Sequence, residues 1–97
     1  MTGLSLATTL SRNPGVLARK VKPDDPALVL LNPKSGEYFT LEAIGTQVWE
    51  LCDGKRTVGD IVALLKEEYD ESADVIEQDV FELCRELLDE ALVVPAS

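Results

Sequence analysis

There is no histidine in this chain of 97 residues, which removes the commonest general base and the commonest transition-metal ligand together. Cysteine is nearly as scarce. Cys52 and Cys84 make no disulfide framework. Both fall on apolar helical stripes, with no adjacent cysteine or basic cluster to depress a thiol pKa. They read as small buried apolar residues rather than as a redox pair or half of a metal site. No apolar run approaches the roughly 18 residues that a membrane-spanning helix needs. Leu4, Leu6 and Leu10 are interrupted by Ser and Thr, and the N-terminus lacks the basic start and apolar stretch of a secretory signal. The expectation is a soluble, cytoplasmic protein without metal or cofactor. Residues 1–13 are expected to form a flexible N-terminal segment and residues 14–97 a single domain.

Basic residues are also short, nine against eighteen acidic ones, for a net charge of -9. The imbalance is uneven: residues 1–36 sum to +3 and residues 37–97 to -12. Such an acidic surface repels phosphate backbones and anionic lipid, which disfavours nucleic acid and membranes as partners. A basic or neutral peptide is easier to accommodate.

What is present suffices for one modest core, with 45% apolar residues and no internal repeat or linker. Val16 to Val21 reads as a first strand, and Lys22-Pro-Asp-Asp-Pro26 as a turn. Ala27 to Leu31 is a continuous apolar run suited to the middle of a small sheet. Asn32-Pro-Lys-Ser-Gly36 is a hairpin loop whose glycine can take positive φ, and it leads into a third strand, Glu37 to Thr40. From Leu41 the apolar period changes from 2 to about 3.6. Leu41, Ile44, Val48, Leu51 and Cys52 share a face of a first helix, with Thr40 as its expected cap and Asp53-Gly54 as its end. Thr57-Val-Gly-Asp60 resembles a capping box that opens a second helix, running to about Tyr69. Ser72 caps a third, whose stripe is Ile76, Val80, Leu83, Cys84, Leu87, Leu88 and Ala91. Leu92 to Val94 is a short extended tail. The order predicts an α+β, winged-helix-like domain: a three-stranded antiparallel meander followed by three helices.

Two features compete for the working surface. The third helix carries Asp74, Glu77, Asp79, Glu82, Glu86, Asp89 and Glu90 against a single basic residue, Arg85. Paired carboxylates do acid–base work only where burial separates their pKa values, and these lie mostly off the apolar stripe, as a solvated face does. The same charges argue against a winged-helix transcription regulator, whose last helix reads bases with Arg, Lys, Asn or Gln. The second feature is the sheet edge. In a meander both outer strands are edges. The first carries Arg19 and Lys20, whereas Glu37 to Thr40 has no basic guard and turns Tyr38 and Phe39 to opposite faces. Such an edge is either covered by the fold or open to another strand. One candidate cover is a second copy, with Leu4 and Leu6 pairing onto a neighbour's strand in a homodimer.

The stretch from Leu31 to Val94 resembles the PqqD-like family, the leader-peptide recognition elements of ribosomally made, modified peptides. The resemblance rests on LNPKSGEYFTL (31–41), IGTQVWELCDG (44–54), TVGDIVALL (57–65), EEYDES (67–72) and DVFELCRELLDEALV (79–93). It implies a non-catalytic adaptor that binds a precursor's leader as an added strand and delivers it to separate modifying enzymes. In lasso-peptide biosynthesis these would be a leader peptidase and an ATP-dependent macrocyclase. In pyrroloquinoline quinone biosynthesis the partner would be a radical SAM enzyme. The Leu-rich N-terminal segment leans toward the lasso system. Carried onto this chain, the resemblance assigns peptide binding to Glu37, Tyr38, Phe39 and Thr40, and to a flank of the third helix. The line Asp74, Gln78, Phe81 and Arg85, with Cys84 beside it, is the first choice for that flank. The opposite flank, near Val75 and Asp79, is the alternative.

Overall fold

Residues 4–96 are described by the computed structural model, and residues 1–3 and 97 lie outside the described part. The chain enters the core earlier than its sequence suggests. Thr9–Arg12 is a strand, β1, in which Leu10 is only 1% exposed. It lies between β5 (Asp53–Thr57) and β6 (Val93–Pro95), antiparallel to both. Thr9 pairs with Thr57 and Ser11 with Asp53 on one side, and Leu10 with Pro95 and Arg12 with Val93 on the other. Residues 9–12, expected within a flexible N-terminal segment, are thus placed in a strand. Four residues alternating about one apolar side chain are a weak strand signal, and the tertiary pairing supplies the rest. Before β1, Leu4 packs against the core, and the Leu6 carbonyl accepts the Gly59 N–H at 2.8 Å. That segment is thus laid onto its own chain.

The second sheet is the expected meander: β2 (Leu17–Lys20), β3 (Leu28–Asn32) and β4 (Glu37–Leu41), in that order. β3 is central and alternates, burying Leu28 and Leu30. The hairpin from β3 to β4 closes as its residues require. The Gly36 N–H donates to the Asn32 carbonyl at 2.7 Å, Gly36 takes φ +74°, and the Asn32 side chain accepts the Lys34 N–H at 3.1 Å.

Three helices cover the core. The first, α1 (Ala43–Leu51), starts at Glu42 without a side-chain cap, so the expected cap at Thr40 is not made; Thr40 belongs to β4. No basic residue of its own stands in the last turn of α1. Arg12 of β1 serves instead, donating to the Glu50 carbonyl at 2.5 Å and the Trp49 carbonyl at 3.4 Å, where a cation is favoured by the helix dipole. Gly54 then turns the chain at φ +79°, and the Asp53 carboxylate accepts the Lys55 and Arg56 N–H groups at 2.9 and 3.1 Å. Those bonds and the Arg56 guanidinium hold the Asp53 carboxyl below its ordinary range.

Thr57 and Asp60 form a reciprocal capping box at α2 (Val58–Glu68), with both bonds at 3.0 Å. Ser72 caps α3 (Ala73–Asp89) by accepting the Val75 N–H at 3.3 Å. α3 ends in a Schellman turn: Leu92 N–H donates to the Leu87 carbonyl at 2.8 Å, and Ala91 N–H to that of Leu88 at 3.0 Å. Ala91 holds the left-handed position there, at φ 57°.

The core lies where these helices meet both sheets, and includes Leu30, Val48, Trp49, Ile61, Leu65, Val80 and Leu87. Cys52 and Cys84 are both fully buried in it. Their mutual hydrogen bond, then burial, push the Cys52 thiol well up. The one buried polar side chain among the described residues, Thr46, donates to the Pro26 carbonyl at 2.7 Å. No described helix is long and apolar enough to cross a membrane.

Candidate peptide-binding groove

β4 is the outer strand of its sheet, and among the described residues no strand lies on its far side. Alternate N–H and C=O groups of such a strand face away from the ladder and remain available. Its side chains alternate as well. Tyr38 is 71% exposed on the outer face of the sheet, while Phe39 turns inward and packs against the core. On that outer face Leu17, Val29, Leu31 and Tyr38 line a shallow concavity of about 430 Å³ edged by Arg19 and Lys20.

Inward of the edge, β4 and α3 are separated by a groove of about 460 Å³. Its floor is apolar: Phe39 and Leu41 from β4, Ile44 from α1 and Leu83 from α3. Gly45 of α1 also borders it, and a Cβ there would come within 3.3 Å of the Leu41 side chain, so the missing side chain lets the two approach. The wall is acidic, made of Asp79, Glu82 and Glu86, with Glu42 at one end. Outside the groove lining, where β4 begins and α3 stops, hydrogen bonding to Glu37 and then its charge, with the charges of Asp89 and Glu86, push the Glu90 carboxyl above its ordinary range. Among the described residues one ion pair forms, Arg56 with Asp53. Among the described residues, the carboxylates of the groove have no cationic partner.

The structure therefore brings Phe39 and Thr40 to the groove, with Glu37 outside its lining and Tyr38 on the reverse face of the same strand. The flank of α3 along the groove passes through Asp79, Glu82, Leu83 and Glu86. This is the flank left as the alternative by the sequence. Asp74, Gln78 and Arg85 are exposed on α3 outside the groove lining, and Phe81 is half-buried against the core. Cys84 is 0% exposed and has no surface to offer a guest.

Sequence reasoning read Glu82 and Glu86 as a mostly solvated acidic face and Leu83 as part of the core stripe, and assigned none of them to the site. The signal was there, since Asp79, Leu83, Glu86 and Glu90 follow one helical line at i, i+4, i+7 and i+11. What periodicity does not contain is the side from which α3 crosses the sheet.

The family model for coenzyme PQQ synthesis protein D (PqqD) matches residues 27–93, which spans β3 through the start of β6. No curated protein matches the chain. Among solved structures, TbiB1 in complex with the TbiA(beta) leader peptide is similar at 28% identity and a TM-score of 0.73, covering 86% of this chain and 93% of that one. Lasso peptide synthetase B1 complexed with the leader peptide shares the fold at 21% identity and a TM-score of 0.74, over 89% of this chain and 98% of the other.

Proposed function

The chain belongs to the PqqD family, and from that premise we propose that it is a leader-peptide recognition element, a non-catalytic adaptor of lasso-peptide biosynthesis. The leader of a ribosomal precursor adds to the free edge of β4 as a further antiparallel or parallel strand. Main-chain hydrogen bonds supply affinity in this mode of recognition, and pockets for alternate side chains supply specificity. The observation that carries this reading is an unpaired strand edge running beside an apolar-floored groove. Phe39 and Leu83 offer that floor to the side chains of an added strand that point toward α3. The nearby solved structure that holds a leader peptide, at 28% identity, supports the choice of guest.

The adaptor then presents the bound precursor to a separate leader peptidase and cyclase. Chemistry would reside in those enzymes. The chain itself has no histidine, and its two thiols are buried away from any substrate.

Titration with a synthetic leader from the precursor encoded beside this chain tests the reading. Saturable binding is expected, with amide shifts on residues 37–41 and along Asp79, Glu82, Leu83 and Glu86. No saturable binding to any co-encoded leader overturns it. A co-encoded radical SAM enzyme that needs this chain would move the assignment to pyrroloquinoline quinone biosynthesis.

A further inference from the structure

Gly45 stands where the three elements that build the groove meet. It is half-buried in the floor, between Leu41 of β4 and Leu83 of α3. A Cβ there would lie 3.3 Å from Leu41 Cδ2 and 3.6 Å from Leu83 Cδ2. The backbone does not ask for glycine, since Gly45 lies within α1 and lacks the positive φ of Gly36 and Gly54. The helix does not ask for it either. α1 has nine residues, no side-chain cap and no acidic residue in its first turn, and glycine is among the poorest helix formers. Space is what remains. An added methyl would press on Leu41, which is 2% exposed against a close-packed core. Leu41 has room to give way only toward the open groove. The methyl and the displaced leucine would then both fill the floor.

We propose that Gly45 is a specificity-determining residue that sets the depth of the groove: its bare backbone receives one large apolar side chain, of leucine size or above, from the guest strand. The inference rests on the leader-binding reading and adds the size class of one residue that the groove selects. β4 turns Phe39 and Leu41 inward at alternate positions, and a strand added beside it repeats that alternation. The inward guest side chain nearest Leu41 reaches Gly45 among Leu41, Ile44 and Leu83. A small side chain at that place leaves the space unfilled and forfeits its dispersion contacts. Selectivity therefore comes from the fit of one guest residue to a depth that any side chain at position 45 would reduce.

The test is fluorescence anisotropy with the full chain and a labelled synthetic leader from the co-encoded precursor. Gly45→Ala is compared with Gly15→Ala, which adds the same methyl at an exposed position outside the groove. Wild-type protein binds saturably. Gly45→Ala is expected to bind about tenfold more weakly while melting no earlier than wild type, whereas the control stays within about twofold. The leader's large apolar residues are then replaced with alanine, one at a time. One of these replacements should weaken wild type yet add little in Gly45→Ala, the coupling expected of two groups in contact. Should Gly45→Ala fail to melt cooperatively by circular dichroism, Leu83→Phe, which enlarges the floor side chain from α3, repeats the comparison. Binding of equal strength to wild type and Gly45→Ala overturns the inference and leaves the adaptor reading standing. Equal weakening of every leader variant by Gly45→Ala also overturns it, by reducing the effect to a disturbed fold. Absence of saturable binding to wild-type protein overturns the adaptor reading itself, and this inference with it.

Discussion

The side-chain amide of Asn13 donates to the carbonyl of Ala91 at 2.8 Å, joining residues 78 positions apart. The Asn13 N–H reinforces the link with a bond to the Leu92 carbonyl at 3.0 Å. The N-terminal strand is thereby fixed to the segment that follows α3, and it is structural despite its polar composition. Leu10→Ala is expected to cost about 2–5 kcal/mol, as truncation of a fully buried leucine does. Urea unfolding followed by circular dichroism measures this. A loss below about 1 kcal/mol would mean that β1 contributes little to the core.

Ala91 occupies a position that favours glycine. Its φ of 57° completes the Schellman turn, and an L side chain is disfavoured there. Ala91→Gly should stabilise the chain by about 1 kcal/mol, the relief of strain exceeding the added flexibility of the unfolded state. The shift in the urea midpoint at unchanged slope reads it out.

How much of this was legible beforehand depends on the range of the interactions. The β2–β3–β4 meander, the Thr57–Asp60 capping box and the Ser72 cap depend on residues close in sequence, and each is present. The second sheet depends on pairing Leu10 with Pro95 and Thr9 with Thr57, and no local pattern in short strands such as TLSR or DGKRT announces that. The site divides in the same way. Glu37 to Thr40 could be selected because an aromatic strand without lysine or arginine is conspicuous in sequence. The helix flank could not. Asp79 and Gln78 are neighbours in the chain but lie on opposite sides of the apolar stripe, and only the packing of α3 on the sheet decides which borders the groove.

A proline scan separates the two roles of β4. In an antiparallel pair, adjacent residues direct their N–H groups alternately to the partner strand and away from it. Of Tyr38→Pro and Phe39→Pro, one removes a ladder donor to β3 and should melt earlier. The other removes a donor from the free edge, and should melt later than its neighbour yet bind the leader at least tenfold more weakly than Phe39→Leu, about the worth of one main-chain hydrogen bond. Parallel thermal melts and leader titrations distinguish them. Unaltered binding in both variants would exclude strand addition at this edge.

Two carboxylates give opposite dependences on pH. The Glu90 carboxyl is raised in the folded chain, so the native state takes up its proton more readily than the unfolded state, and stability declines as pH rises through that folded value. Glu90→Gln should therefore raise the melting temperature at neutral pH, with the gain vanishing in acid. The Asp53 carboxyl is lowered, so its contribution is present above the unfolded value and lost as pH falls through the folded one. Asp53→Asn should lower the melting temperature at neutral pH and converge with wild type in strong acid. Differential scanning calorimetry across the acid range checks both signs.

The placement of β1 between β5 and β6 has a consequence for biogenesis. β1 can find its second neighbour only after residues 93–95 have been translated and have cleared the ribosome. The β2–β3–β4 hairpins can close while synthesis continues, but the sheet that anchors α3 cannot. Wherever the groove depends on that anchorage, competence to hold a guest is acquired only after β6 emerges.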